Sequence, residues 1–205
     1  MTIAEKLQLI ARNVQKVFDS GRKAEYEDFW GKALDGSASG TYRFAGSCWN
    51  DKTFKPSKKI TLTGNCNGCF YGCQITDMEG IFDELGFGLS FNNVTSVTNM
   101  FAYSKITHLP ELDMSGFNTY NSMFANCTGL VGVEFKKGTV SNSGLNFSGN
   151  TNLSTESLKS ILGALSLSVN GKSITFSTSH RATIESECSD LVSAATSAGW
   201  TIAYN

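Results

Sequence analysis

The chain has 205 residues, long enough for one large domain or two small ones with a substantial buried core. Hydrophobic residues make up 40 % and charged residues 17 %, which excludes a disordered tail, and 17 basic side chains against 18 acidic ones exclude a strongly basic nucleic-acid binder. No apolar run reaches the ~18 residues of a membrane span, so no membrane insertion is expected.

The first segment predicts a helix. Thr2 and Glu5 form a capping box, and Ile3, Leu7, Ile10, Val14 and Val17 follow at spacings of 4, 3, 4 and 3, the rhythm of a coiled-coil seam. Residues 1–34 are therefore read as an N-terminal helical unit. It either folds onto its own domain or joins copies of the chain in a short parallel bundle. No basic stretch followed by an apolar one opens the chain, so no secretory signal is expected.

Residues 35–64 read as a linker with short strands, at Tyr42 to Trp49 and Lys59 to Leu62, after the flexible Gly36 to Gly40. Lys52, Lys55, Lys58 and Lys59 form a small basic cluster, read as a solvated face. Cys66, Cys69 and Cys73 have a spacing that invites a metal, but zinc needs a fourth ligand and no second cysteine pair exists. The six cysteines are read as small buried thiols, with no metal or cofactor expected.

Residues 65–154 carry an internal repeat. A phenylalanine is followed three residues later by a small polar residue and then by an aliphatic one. The copies are Phe70–Cys73–Ile75, Phe101–Ser104–Ile106, Phe124–Cys127–Leu130 and Phe147–Asn150–Leu153. The phenylalanines lie 31, 23 and 23 residues apart, a period that fits a leucine-rich-repeat type of solenoid with one short strand per turn. Each phenylalanine should fill the axis, and the small polar residue should bond to neighbouring backbone. The longer first interval is read as an inserted helix from Asp77 to Leu85.

Residues 155–205 read as an α/β capping unit, since an open solenoid end exposes core. Its expected parts are a helix from Ser157 to Leu165, a strand from Lys172 to Ser177, one helix from Arg181 to Ala198 stopped by Gly199, and a last strand through Trp200, Ile202 and Tyr204. The fold class is thus α/β: a short irregular solenoid with an N-terminal helix and a C-terminal cap.

The Phe-x-x-Cys-x-x-Leu unit resembles the BspA-like (Treponema-type) leucine-rich repeats. The run from Leu153 to Leu165, with Ala198 to Ile202, is similar to the closure of many such proteins from gut bacteria and their phages. The opening, Met1 to Trp30 with Phe44 to Trp49 and Thr53 to Pro56, resembles the front end of gut phage and prophage proteins. This chain departs from the pattern in its few copies, their unequal lengths, and Asn150 where cysteine is usual. The resemblance implies adhesion or surface display.

No nucleophile elbow, P-loop or zinc-protease motif is present, and neither His108 and His180 nor the nearby acids Glu111 and Asp113 form a recognisable catalytic set, so no enzyme is expected. The reading is a phage virion protein, a tail-associated fibre or receptor-binding component. It would be made in the host cytoplasm and released by lysis, which reconciles an extracellular repeat class with the missing export signal. A homotrimer through the N-terminal helix is preferred, alongside contacts to other virion proteins and to a host surface glycan or protein. Thr76, Tyr103, Thr107 and His108, placed on the strand face of the coils, are the expected ligand contacts. The alternatives are a structural decoration protein of the particle and a bacterial surface or protein-interaction module.

Overall fold

A computed structural model describes residues 59–62, 64–73, 76, 88–90 and 94–205. The expected helical seam (Ile3, Leu7, Ile10, Val14 and Val17), the strand at Tyr42 to Trp49 and the inserted helix at Asp77 to Leu85 lie outside these residues. The described chain mixes helices with short parallel strands. In order it runs β1 (Lys59–Thr61), β2 (Gly64–Asn65), β3 (Gly88–Ser90), β4 (Val94–Ser96), β5 (Asn146–Phe147), α1 (Thr155–Gly163), β6 (Lys172–Phe176), a 3-10 turn (Thr178–His180), α2 (Arg181–Glu187), α3 (Ser189–Ser197) and β7 (Trp200–Tyr204). All strand pairing among them is parallel: β1 with β3, β2 with β4, and β5–β6–β7 in one sheet. Isolated parallel bridges at Ser96–Thr119, His108–Gly132, Leu112–Phe135 and Val140–Leu165 continue the same arrangement where strands are too short to name.

Parallel pairing at this sequence separation means that the chain passes repeatedly in the same direction, each pass lying beside the one before. The phenylalanines record the register. Phe70, Phe101, Phe124, Phe147 and Phe176 form one column, with successive ring centroids 5.5, 5.6, 5.5 and 5.8 Å apart and interplanar angles of 9 to 16°. Each is fully buried. Burying one such ring is worth roughly 1.5–3 kcal/mol, and each offset stack adds about 0.5–1.5 kcal/mol. Phe176 belongs to this column as a fifth member, although the spacing of the first four assigns it only to a strand of the cap.

Backbone bonds hold the passes together on both sides of the column. Phe70 N–H donates to Met100 C=O, Phe101 N–H to Met123 C=O, and Ser122 N–H to Gly144 C=O, at 2.7 to 2.9 Å. Around each phenylalanine the chain turns tightly. The N–H three residues after it donates back to its carbonyl at Cys73, Ser104, Cys127 and Asn150. These turns require left-handed residues: Gly68, Asn99 and Ser122 two positions before the ring, and Gly72, Tyr103 and Asn126 two positions after it, all with φ between 52 and 66°.

The C-terminal part closes over this core. Ser154 caps α1, its side chain accepting from Ser157 N–H, and Leu158, Ile161 and Leu162 are buried. Serines of α1 also meet the preceding pass, where Val133 N–H donates to Ser157 Oγ and Phe135 N–H to Ser160 Oγ, both at 2.9 Å. The single helix expected from Arg181 to Ala198 is instead two, α2 and α3, broken at Cys188 (φ −126°, ψ 17°). Cys188 is buried at the break, and its non-helical backbone lets both short helices pack on α1. The surrounding Ser186, Ser189 and Asp190 hold a helix weakly, so packing decides the bend. Gly199 ends α3 at φ +91°, and β7 follows directly. No described helix is long and apolar enough to cross a membrane.

Candidate binding surface

The small polar residues after Phe70, Phe101, Phe124 and Phe147 are buried, and Cys127 and Asn150 among them bond along the column. Cys127 Sγ donates to Phe101 C=O at 2.8 Å, Asn150 Nδ2 donates to Cys127 C=O at 2.9 Å, and His180 Nε2 reaches Asn150 C=O at 2.6 Å. A carbonyl only accepts, so Nε2 is the donor in this bond. Burial pushes the Cys127 thiol up to about 11. This row is interior scaffolding. His180, which shows no chemical partner in the sequence, is its last member and is buried.

Among the described residues, two outer rows lie at and just beyond the corners. The first lies just beyond each corner and contains Thr76, Thr107, His108 and Gly132. Thr107 donates both N–H and Oγ1 to Thr76 C=O, at 2.7 and 2.8 Å. Val131 and Gly132 N–H both donate to Thr107 C=O. His108 is exposed and pairs with Gly132, and its Nδ1 lies 3.2 Å from Thr107 Oγ1. A Cβ at position 132 would sit 2.4 Å from His108 Cδ2, so the imidazole edge closes over the glycine and leaves no room for a larger residue there. The structure therefore brings three of the four expected contacts together, but the Thr107 hydroxyl already bonds to Thr76.

The fourth residue, Tyr103, belongs to the second row. It sits in the corner turn and not on a strand face, which corrects its expected position. At φ +60° it is 53 % exposed, and its ring lies 5.3 Å from that of Tyr71 at a tilt of 49°. The backbone aligns Gly72, Tyr103 and Asn126, because Gly72 N–H donates to Ala102 C=O and Tyr103 N–H to Ala125 C=O, both at 2.8 Å. Tyr71 and Asn126 escape a search for strand residues. The signal that finds them is their offset of one or two residues from a repeat phenylalanine.

A further polar run lies before the corner. Asn67 Oδ1 accepts from Ser96 Oγ and from Thr98 N–H, and Ser96 Oγ also meets Thr119 Oγ1 at 2.5 Å. Asp113, one of the two neighbouring acids, accepts from Lys136 Nζ at 2.8 Å and from Ser115 N–H and Oγ. These bonds hold its carboxyl down at about 2, ionised and unsuited to donating a proton. Cys66, Cys69 and Cys73 are fully buried, and among the described residues no three His, Cys, Asp or Glu side chains gather where they could hold a metal ion. No family model, curated protein or solved structure matches the chain.

Proposed function

We propose that this protein is a non-enzymatic attachment component of a phage virion, associated with the tail, whose short leucine-rich-repeat-like solenoid displays a surface to the host. The observation that carries the reading is the in-register phenylalanine column. A backbone held at a fixed spacing on every pass aligns the outward side chains into rows, and such rows suit recognition of an extended ligand. The polar groups along the column bond to one another and to carbonyls, which supports a scaffold role over a chemical one. The N-terminal seam would join three copies, with other virion proteins holding the assembly on the particle.

The test is adsorption. Labelled full-length protein is added to a panel of bacterial strains, and an antibody against it is used to count copies on purified particles. Saturable labelling of some strains, with few copies at the tail, is the expected result. Many copies over the capsid and no labelled strain would replace this reading with a decoration role. Saturable labelling with the protein found on the bacterial surface, and not on particles, would replace it with a bacterial surface module.

A further inference from the structure

We propose that Tyr71, Tyr103 and Asn126 form a platform for a neutral pyranose unit of a surface polysaccharide. This inference rests on the attachment reading and names the ligand class for it.

The argument starts from a mismatch between backbone and side chain. The slot two residues after the repeat phenylalanine is left-handed in three successive passes, at φ 66, 60 and 55°. Glycine and asparagine take that conformation readily, and they occupy it at Gly72 and Asn126. Tyr103 does not suit it. Its ring does not repay the conformation by burial either, since half of its surface is exposed. A bulky residue held in an unfavourable conformation and turned outward marks a site where the side chain serves an outside contact.

The surroundings select the ligand. The tilted rings of Tyr71 and Tyr103 make an apolar floor, and the next position along the row is the exposed amide of Asn126. A pyranose presents C–H groups on one face and hydroxyls around its rim, so it needs an aromatic floor beside neutral donors and acceptors. None of the three residues carries a formal charge, which favours a neutral sugar over a phosphate. A protein partner fits less well. Among the described residues only Tyr103 and Leu167 are large apolar side chains more than half exposed, and Tyr71 is half-buried, whereas a stable protein interface covers about 800 Å² per partner around an apolar core.

The experiment uses the full-length protein on an array of neutral bacterial polysaccharides, with maltohexaose, cellohexaose and chitohexaose followed by saturation-transfer NMR. Binding to at least one neutral saccharide is expected. Tyr103→Asn should weaken it by about two- to tenfold, in line with loss of an aromatic stack. Because asparagine suits the left-handed slot, the same variant should keep or raise the Tm, which separates loss of the ring from loss of the fold. Tyr103→Phe should retain most of the binding. The proposal is overturned if no neutral saccharide binds, or if Tyr103→Asn binds like the parent. Cell adsorption distinguishes the two levels. Parent-like adsorption by Tyr103→Asn removes the platform and leaves the attachment role, whereas no adsorption by the parent removes the attachment role itself. Adsorption lost on protease treatment of the cells, but not on periodate treatment, would assign a protein ligand and overturn the sugar.

Discussion

Cys127 illustrates how little of a residue's chemistry is decided by its type. Its thiol is buried and donates to Phe101 C=O, with Ser104 Oγ 3.5 Å from the sulfur. Burial is the main cause of its high pKa. The thiolate is the reactive form, so native protein should leave Cys127 unmodified by iodoacetamide at pH 8. Unfolded protein should react at once, and mass spectrometry of the peptide would show the difference. Asp113 gives the opposite case. Its pKa is depressed from 3.8 to about 2, so its contribution to stability is complete above pH ~4 and fades as the pH falls towards 2. Both partners are well exposed, so the effect is small. Asp113→Asn should lower the neutral plateau of a Tm-against-pH profile slightly and converge with the parent as the pH falls towards 2. The sequence makes the inward, backbone-bonding role of Cys127 and Asn150 legible, because both stand three residues after a phenylalanine. It hides His180, which performs the same role four residues after Phe176 and inside a segment that reads as a helix start.

At the scale of elements, periodicity carries most of the legible structure. Leu158, Ile161 and Leu162 mark one face of α1, and that face is buried. The break between α2 and α3 leaves no such trace, since Ile184, Cys188 and Ala195 fit one continuous stripe and only packing against α1 reveals the bend. The corner turns are legible at Gly72 and Asn126, whose residue types favour the left-handed conformation, and hidden at Tyr103 and Ser122, whose types do not. Two substitutions probe these elements. Phe124→Ala removes the middle ring, which touches Phe101, Phe147 and Phe135. It should cost about 3–5 kcal/mol in chemical denaturation, the range for deleting a buried aromatic that neighbours cannot replace. Gly199→Ala meets two obstacles. The backbone is left-handed at φ +91°, and the new Cβ would lie 2.1 Å from Asn170 Oδ1. Even if Asn170 swings aside, the conformational cost of about 1–2 kcal/mol remains, so denaturation should show at least that loss.

For the whole molecule, the attachment reading needs a surface that repeats and a means of presenting several copies of it. The first need would be met by the column, whose spacing places Gly72, Tyr103 and Asn126 in one row with the Tyr71 ring beside Tyr103. The second would fall to residues 1–34, whose sequence keeps the seam spacing at Ile3, Leu7, Ile10, Val14 and Val17 for about two heptads. Two heptads are a marginal coiled coil in isolation, because helix nucleation is costly and the buried stripe is short. A trimer built on them would depend on the tethered bodies, and hence on concentration. Light scattering over a dilution series should therefore show the full chain moving from three chains of 22.1 kDa towards one as it is diluted. A variant lacking residues 1–34 should remain a single chain throughout. A full chain that is monomeric at every concentration would remove the stalk. Attachment would then rest on a single row per molecule, and the affinity of the Tyr103 platform alone would have to account for adsorption without the gain from multiple linked sites.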